Sequence, residues 1–121
     1  MIAVFVMLAG GAGALTRFVV DGLIRTHLGR QFPWGTMFIN VSGSLLLGIL
    51  VGLALRHHEL SDVRVVIGTG FCGGYTTFST MSFETVRLIE RHQYGKALFN
   101  TLGTLGAALV GAGIGIAIVL I

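Results

Sequence analysis

The stretch best equipped for chemistry reads Gly68-Thr-Gly-Phe-Cys-Gly-Gly-Tyr-Thr-Thr-Phe-Ser-Thr-Met-Ser-Phe-Glu84. It joins a weak point for helix, Gly73-Gly74, to a run of hydroxyls at Thr76, Thr77, Ser79, Thr80 and Ser82. Adjacent glycines weaken a helix because each has more backbone freedom to lose than any other residue. A helix that opens inside a membrane frees N–H and C=O groups, which are tolerated only when buried in protein or lining a cavity. Freed carbonyls can hold a small cation; freed N–H groups and helix N-termini can hold an anion. Hydroxyls add donors without adding charge. The combination suits a small, strongly hydrated anion that needs replacement hydrogen bonds and must not be trapped. Phe78 stands within this polar run. The edge of a phenyl ring is the positive part of its quadrupole, so it can face an anion in a narrow dry passage.

Other chemistries fail on context. Gly68, Gly70 and Gly73 match G-x-G-x-x-G, but a dinucleotide site needs a preceding strand and a βαβ unit. Cys72 is the single cysteine, which excludes an intrachain disulfide and a Cys/His metal constellation. His27, His57, His58 and His92 are expected in loops, as solvated side chains. The pair His57-His58 is too little for a metal site.

Elements able to hold these residues must be membrane helices. Of 121 residues, 54% are hydrophobic and only 11% charged, against roughly 25% charged in a soluble domain. Disorder is excluded by the apolar content, and the 19 glycines show no G-X-Y period. A helix needs about 20 apolar residues to cross a hydrocarbon core of roughly 30 Å. Four segments qualify, at about 2–24, 36–55, 63–89 and 97–121, with Glu84 and Arg87 in the last turns of the third. The connections Arg25–Gly35, Arg56–Asp62 and Glu90–Lys96 are short, so residues 1–121 form one domain. No Lys or Arg precedes Arg17, so the first segment is expected to be a span and not a signal peptide. Apolar and polar residues do not alternate as barrel strands require.

The net charge of +3 suggests nucleic acid only until the charges are placed; all eight Lys and Arg lie at span ends or in loops. No nucleic-acid partner is expected. Arg25, Arg30, Arg91 and Lys96 lie in loops one and three, with Arg17 and Arg87 close by, against Arg56 and Arg64 at loop two. Six against two favours loops one and three in the cytoplasm and both termini outside, in the cell membrane of a prokaryote.

Small residues recur every fourth position at Asn40, Ser44, Gly48, Gly52 and again at Gly103, Ala107, Gly111, Gly115, while Ala9 and Gly13 lead to Arg17 and Asp21. Such stripes let helix backbones approach closely in lipid. A polar stripe, Asn100 and Thr104 followed by Ala108 and Ala112, shares the fourth span. Each amide or hydroxyl there must find a partner or line a wet path. Four short helices have little interior of their own, so a dimer is expected.

Three stretches resemble the CrcB/Fluc fluoride channels: Gly10-Gly-Ala-Gly-Ala-Leu-Thr-Arg17; Gly35-Thr-Met-Phe-Ile-Asn40 with Ser42-Gly43; and Gly68 to Ser82, including Phe71-Cys-Gly-Gly and Thr76-Thr-Phe-Ser-Thr80. The resemblance covers nearly the whole chain. It implies an all-α membrane protein of four transmembrane helices, the third broken mid-membrane, assembling as an antiparallel dimer with two fluoride pores. It implies passive fluoride export and no enzymatic chemistry. It also implies a structural sodium ion at the dimer centre, held by backbone carbonyls that map onto Gly73 and Thr76. The pore asparagine maps onto Asn40 and the first pore phenylalanine onto Phe78. The polar track maps onto Ser79, Thr80, Glu84, Asn100 and Thr104, and the vestibule arginine onto Arg17, where a fixed positive charge would concentrate anions.

Two departures stand out. The family's second pore phenylalanine is Met81 here, which has no positive ring edge. The six-to-two loop charge is also far from the balance of dual-topology members. Together they suggest a subunit that inserts mainly one way and pairs with an oppositely oriented paralogue, although a homodimer stays open. Two alternatives are a four-span proton-coupled transporter of organic cations and a non-transporting assembly subunit. The former needs a carboxylate deep in the first span, where only Asp21 is available, near its end.

Overall fold

The computed structural model describes residues 1–57 and 61–121; the expectation for His58 lies outside them. The described residues are helical almost throughout, with no strand. Helix α1 is Ile2–Leu28 and α2 is Trp34–Arg56. Ser61–Arg64, the π-wound Val65–Cys72 and Gly73–Tyr75 run on as α3. Ser79–Glu90 is α4. Tyr94–Leu98, the π-wound Phe99–Gly103 and Thr104–Leu120 form α5.

Three helices, Ile2–Leu28, Trp34–Arg56 and Tyr94–Leu120, are long and apolar enough to cross a membrane. At 1.5 Å per residue each reaches ~35–40 Å. Neither α3 nor α4 reaches that length alone.

Helix α1 continues past its apolar part. Arg25 pairs with Asp21 at 3.0 Å, and Thr26 and His27 bond back to the Gly22 and Leu23 carbonyls at 2.9 and 2.8 Å. His27 therefore lies in a helical turn, not in the loop expected of it. Gly29 then ends the helix at φ 83°, a conformation that glycine adopts without strain.

The helices pair through their glycines. A Cβ on Gly74 would strike the Gly10 carbonyl, and one on Gly13 the Phe71 carbonyl. A Cβ on Gly48 would strike the Ala112 carbonyl, and one on Gly115 the Leu45 carbonyl. Contacts advance together along both pairs, from Gly70 on Val6 to Gly74 on Gly10, and from Gly111 on Val41 to Gly52 on Ile116. So α1 runs parallel to α3, and α2 runs parallel to α5. The α2–α5 contact is the most extensive in the fold.

Only part of the expected fourth-span stripe serves this contact. Gly111 and Gly115 meet α2, whereas Ala107 is exposed and Gly103 meets only the Phe99 ring of its own helix. The face turned to α2 also carries Ala112 of the polar stripe, opposite Gly48. A four-residue step drifts around a 3.6-residue helix, so one interface draws on both stripes. Outside these seams, large apolar side chains such as Leu8, Phe18, Leu109 and Val110 are exposed, as lipid-facing surfaces require.

Candidate functional site

The interruption between α3 and α4 falls at Thr76–Phe78, not at Gly73-Gly74 as the glycines suggest. Gly73 and Gly74 stay helical. Gly74 is small because α1 lies against it, so this glycine serves packing. At Thr76 the chain turns extended, with φ −77° and ψ 159°.

Asn40 of α2 holds the opened backbone. Its Nδ2 donates to the Thr77 carbonyl at 2.9 Å, and its Oδ1 accepts from the Thr77 N–H at 2.8 Å. The carboxamide thus replaces the two helical bonds that Thr77 lost. On the other side of the break, Thr76 Oγ1 and N–H both return to the Cys72 carbonyl, at 2.8 and 2.9 Å. The Thr77 hydroxyl accepts from the Thr80 N–H at 3.1 Å, capping the start of α4 as a threonine three residues ahead can. Ser42 Oγ and the Tyr75 hydroxyl sit 3.0 Å apart.

The break leaves acceptors behind. Among the described residues, no main-chain N–H outside the regular helices donates to the carbonyls of Gly73, Gly74, Tyr75 or Thr76. They lie at the C-terminal, negative end of α3. Gly73 is exposed, with open space where a side chain would stand. This is oxygen chemistry that fits a hard monovalent cation. No group of three or more His, Cys, Asp and Glu among the described residues could hold a metal by side chains.

Most of the sequence-chosen residues divide among three places. Asn40, Phe78, Met81 and Thr104 line one cavity of about 400 Å³, together with Gly73, Thr76 and Thr77. Phe78 is 76% exposed there. Thr80 and Arg17 share a second cleft with Asp21 and Thr36. Glu84 lies in a third cleft, lined by Arg25, Arg30, Arg87 and Arg91. Asn100 is fully enclosed, donating from Nδ2 to Thr85 Oγ1 at 2.8 Å, and Ser79 is exposed, its hydroxyl 3.4 Å from that of Thr77.

Several polar atoms here lack partners. Asn100 Oδ1, Thr104 Oγ1 and Glu84 Oε1 are buried without a hydrogen bond. Such atoms in a low-dielectric interior are rare enough to need a cause, an unplaced water or ion among them. The other Glu84 oxygen lies 3.6 Å from Arg25, which also holds Asp21.

The sequence reading does not assign their roles to three residues of this network: Thr85 is not singled out, Arg25 counts only as a loop charge and Thr77 only as one hydroxyl of a run. Thr85 is the partner of Asn100. Arg25 bridges two carboxylates. Thr77 is both clamped and capping. Thr77 had a signal in its three-residue spacing from Thr80 at a helix start, and Arg25 in its four-residue spacing from Asp21.

Residues 4–116 match the family described as CrcB-like protein, Camphor Resistance (CrcB). The chain is 47% identical over 116 residues to "Fluoride-specific ion channel FluC 1" of Leifsonia xyli subsp. xyli, covering 96% of this chain and 85% of that one. It is 46% identical over 114 residues to "Fluoride-specific ion channel FluC" of Syntrophotalea carbinolica, covering 93% of each. It is 40% identical over 116 residues to the protein of that name from Geobacter sulfurreducens, covering 95% of this chain and 90% of that one. The similarity runs through every apolar helix and through the clamped break, and on it the chain belongs to the CrcB family.

Proposed function

We propose that this multi-pass membrane protein is a fluoride-selective channel that lets fluoride leave the cytoplasm passively, working as an antiparallel dimer. It is an ion channel and not an enzyme. The observation that carries the reading is the Asn40–Thr77 clamp. It holds a helix open beside a cavity that also presents Thr104 and Phe78, in a chain whose relatives are named for fluoride.

The donor arithmetic suits a strongly hydrated anion. An amide carries two N–H donors. Asn40 spends one on Thr77, which leaves one for an ion in the cavity. The Thr104 hydroxyl is unspent. The Phe78 ring contributes a positive edge. Ser79 and Thr80 open α4, whose N-terminus carries partial positive charge. Asn100, Thr104 and Glu84 continue the polar track, and Arg17 raises anion concentration at its entrance. None of these donors is a full positive charge within the 400 Å³ cavity, so the ion is stabilised but not held.

Four crossings and a mid-membrane break are supported by the parallel α1–α3 and α2–α5 pairs. Consecutive crossings alternate in direction, so first matches third and second matches fourth. Helices α3 and α4 together supply the third crossing. The exposed Phe78 and Gly73 suit a face covered by a second subunit. The carbonyls of Gly73 and Thr76 fit a structural sodium ion there, which would neutralise the negative helix end. Met81 occupies the place of a second ring, and a paralogous partner inserted the other way could complete the box. The organic-cation alternative needs an available carboxylate in α1, but Asp21 is engaged by Arg25 at 3.0 Å.

Purified protein in liposomes tests the reading. Fluoride efflux without chloride efflux, and without a proton gradient, is expected. Asn40→Asp and Phe78→Ile should each abolish that efflux while the dimer persists. Normal efflux in both variants would refute the pore assignment.

A further inference from the structure

The third cleft is more basic than an ion path requires. It encloses about 350 Å³, and its walls bring Arg25, Arg30, Arg87 and Arg91 against a single carboxylate, Glu84. Arg25 is already committed to Asp21 and Glu84. Arg87 lies over the Phe83 ring, 5.8 Å from its centroid. No carboxylate among the described residues forms an ion pair with Arg30, Arg87 or Arg91. Three exposed guanidiniums sharing one cleft with a single carboxylate concentrate positive charge there, which attracts an anion. Guanidinium forks match phosphate oxygens two bonds at a time.

The surroundings say which anion. Phe32 forms part of the cleft wall and packs on Trp34 and Phe99, with centroids 4.6 and 5.5 Å away. Trp34, Phe83 and Phe99 are 41%, 63% and 51% exposed. Exposed aromatics beside arginines at helix ends are what the water–lipid boundary selects. Basic pockets between membrane helices at that depth suit anionic head groups. A free phosphate would need no apolar surface beside it; a phospholipid would lay its chains along Phe83.

We propose that the Arg25–Arg30–Arg87–Arg91 cleft binds the phosphodiester head group of an anionic phospholipid, with its acyl chains against the exposed aromatics. The site shares no lining residue with the cavity of Asn40 and Phe78 and meets the proposed polar track only at Glu84. It depends on the helix ends lying at the membrane surface, not on which ion is conducted.

Trp34 is the single tryptophan, so its fluorescence reports this corner alone. Wild-type protein in mixed vesicles should be quenched by brominated phosphatidylglycerol at a lower mole fraction than by brominated phosphatidylcholine. Arg30→Gln with Arg91→Gln should weaken that preference roughly tenfold or more, and Arg30→Lys with Arg91→Lys, which keep the charge and lose the fork, should fall between that variant and wild type. Equal quenching of the wild type by both lipids overturns the proposal, whatever the variants do. Loss of the preference on adding millimolar inorganic phosphate would make free phosphate the ligand and also overturn it. Fluoride efflux is measured alongside in phosphatidylcholine vesicles, where the glutamine variant should match wild type. A variant efflux reduced there would give these arginines to the ion path instead and overturn the proposal.

Discussion

The Asn40 carboxamide and the Thr77 peptide make two hydrogen bonds to each other, at 2.9 and 2.8 Å. The residues are 37 positions apart, so a side chain on α2 fixes the exact gap between α3 and α4. The pairing imitates one rung of a sheet, and it satisfies both polar groups of a peptide that no helix completes. Asn40→Ala should therefore lower thermal stability as well as flux, since two orphaned groups cost about 1–3 kcal/mol each. A melting temperature unchanged from wild type would mean that water replaces the clamp at no loss.

Thr77→Val should remove the cap on the Thr80 N–H while keeping the shape of the side chain. About 1 kcal/mol of stability should go with it, and Thr77→Ser should restore it. Calorimetry of the three proteins in one detergent decides the matter.

Close approach makes its own prediction. A Cβ on Gly48 meets the Ala112 carbonyl, whereas one on Gly106 meets nothing. Gly48→Ala should sharply reduce the yield of folded protein. Gly106→Ala should be neutral or slightly stabilising, because alanine favours helix by about 1 kcal/mol. Equal yields would show that α2 and α5 can separate without harm.

If sodium occupies the carbonyls at the end of α3, it stabilises the folded dimer by mass action. Exchange of sodium for N-methylglucamine should lower the melting temperature in proportion to the logarithm of sodium concentration. A melting temperature indifferent to sodium removes the ion from the description.

The loop charges predict one main orientation. With a reporter on each side of the membrane, the chain expressed alone should place loops one and three inside. Equal signals from both orientations would restore the self-sufficient homodimer.

Most of the helical layout was legible because lipid enforces it: long apolar runs admit only helix. That the backbone opens within the Gly68–Glu84 stretch, beside a run of hydroxyls, was also legible. What could not be read was its position. Gly73-Gly74 looks like a breaking point by propensity, but Gly74 is filled by the Gly10 carbonyl of another helix. The true opening follows three residues later, where Asn40 can reach. Likewise Thr85 and Arg25 gain their roles from partners on other helices, Asn100 and Glu84. Spacing along one helix carries no trace of such partners. The fourth-span stripe failed at Ala107 for a related reason: a single repeat cannot say which neighbour it meets.

The parallel glycine seams have a consequence for biogenesis. Helix α1 locks to α3 and α2 to α5, so each tight seam skips what lies between in the chain. Neighbouring hairpins cannot mature as they emerge: α1 waits for α3, and α2 waits for α5. The strands of this plait close only once the last helix is in place. No cut through the chain leaves two pieces that each keep a finished seam, and a truncated product would expose bare backbone to the membrane's quality control.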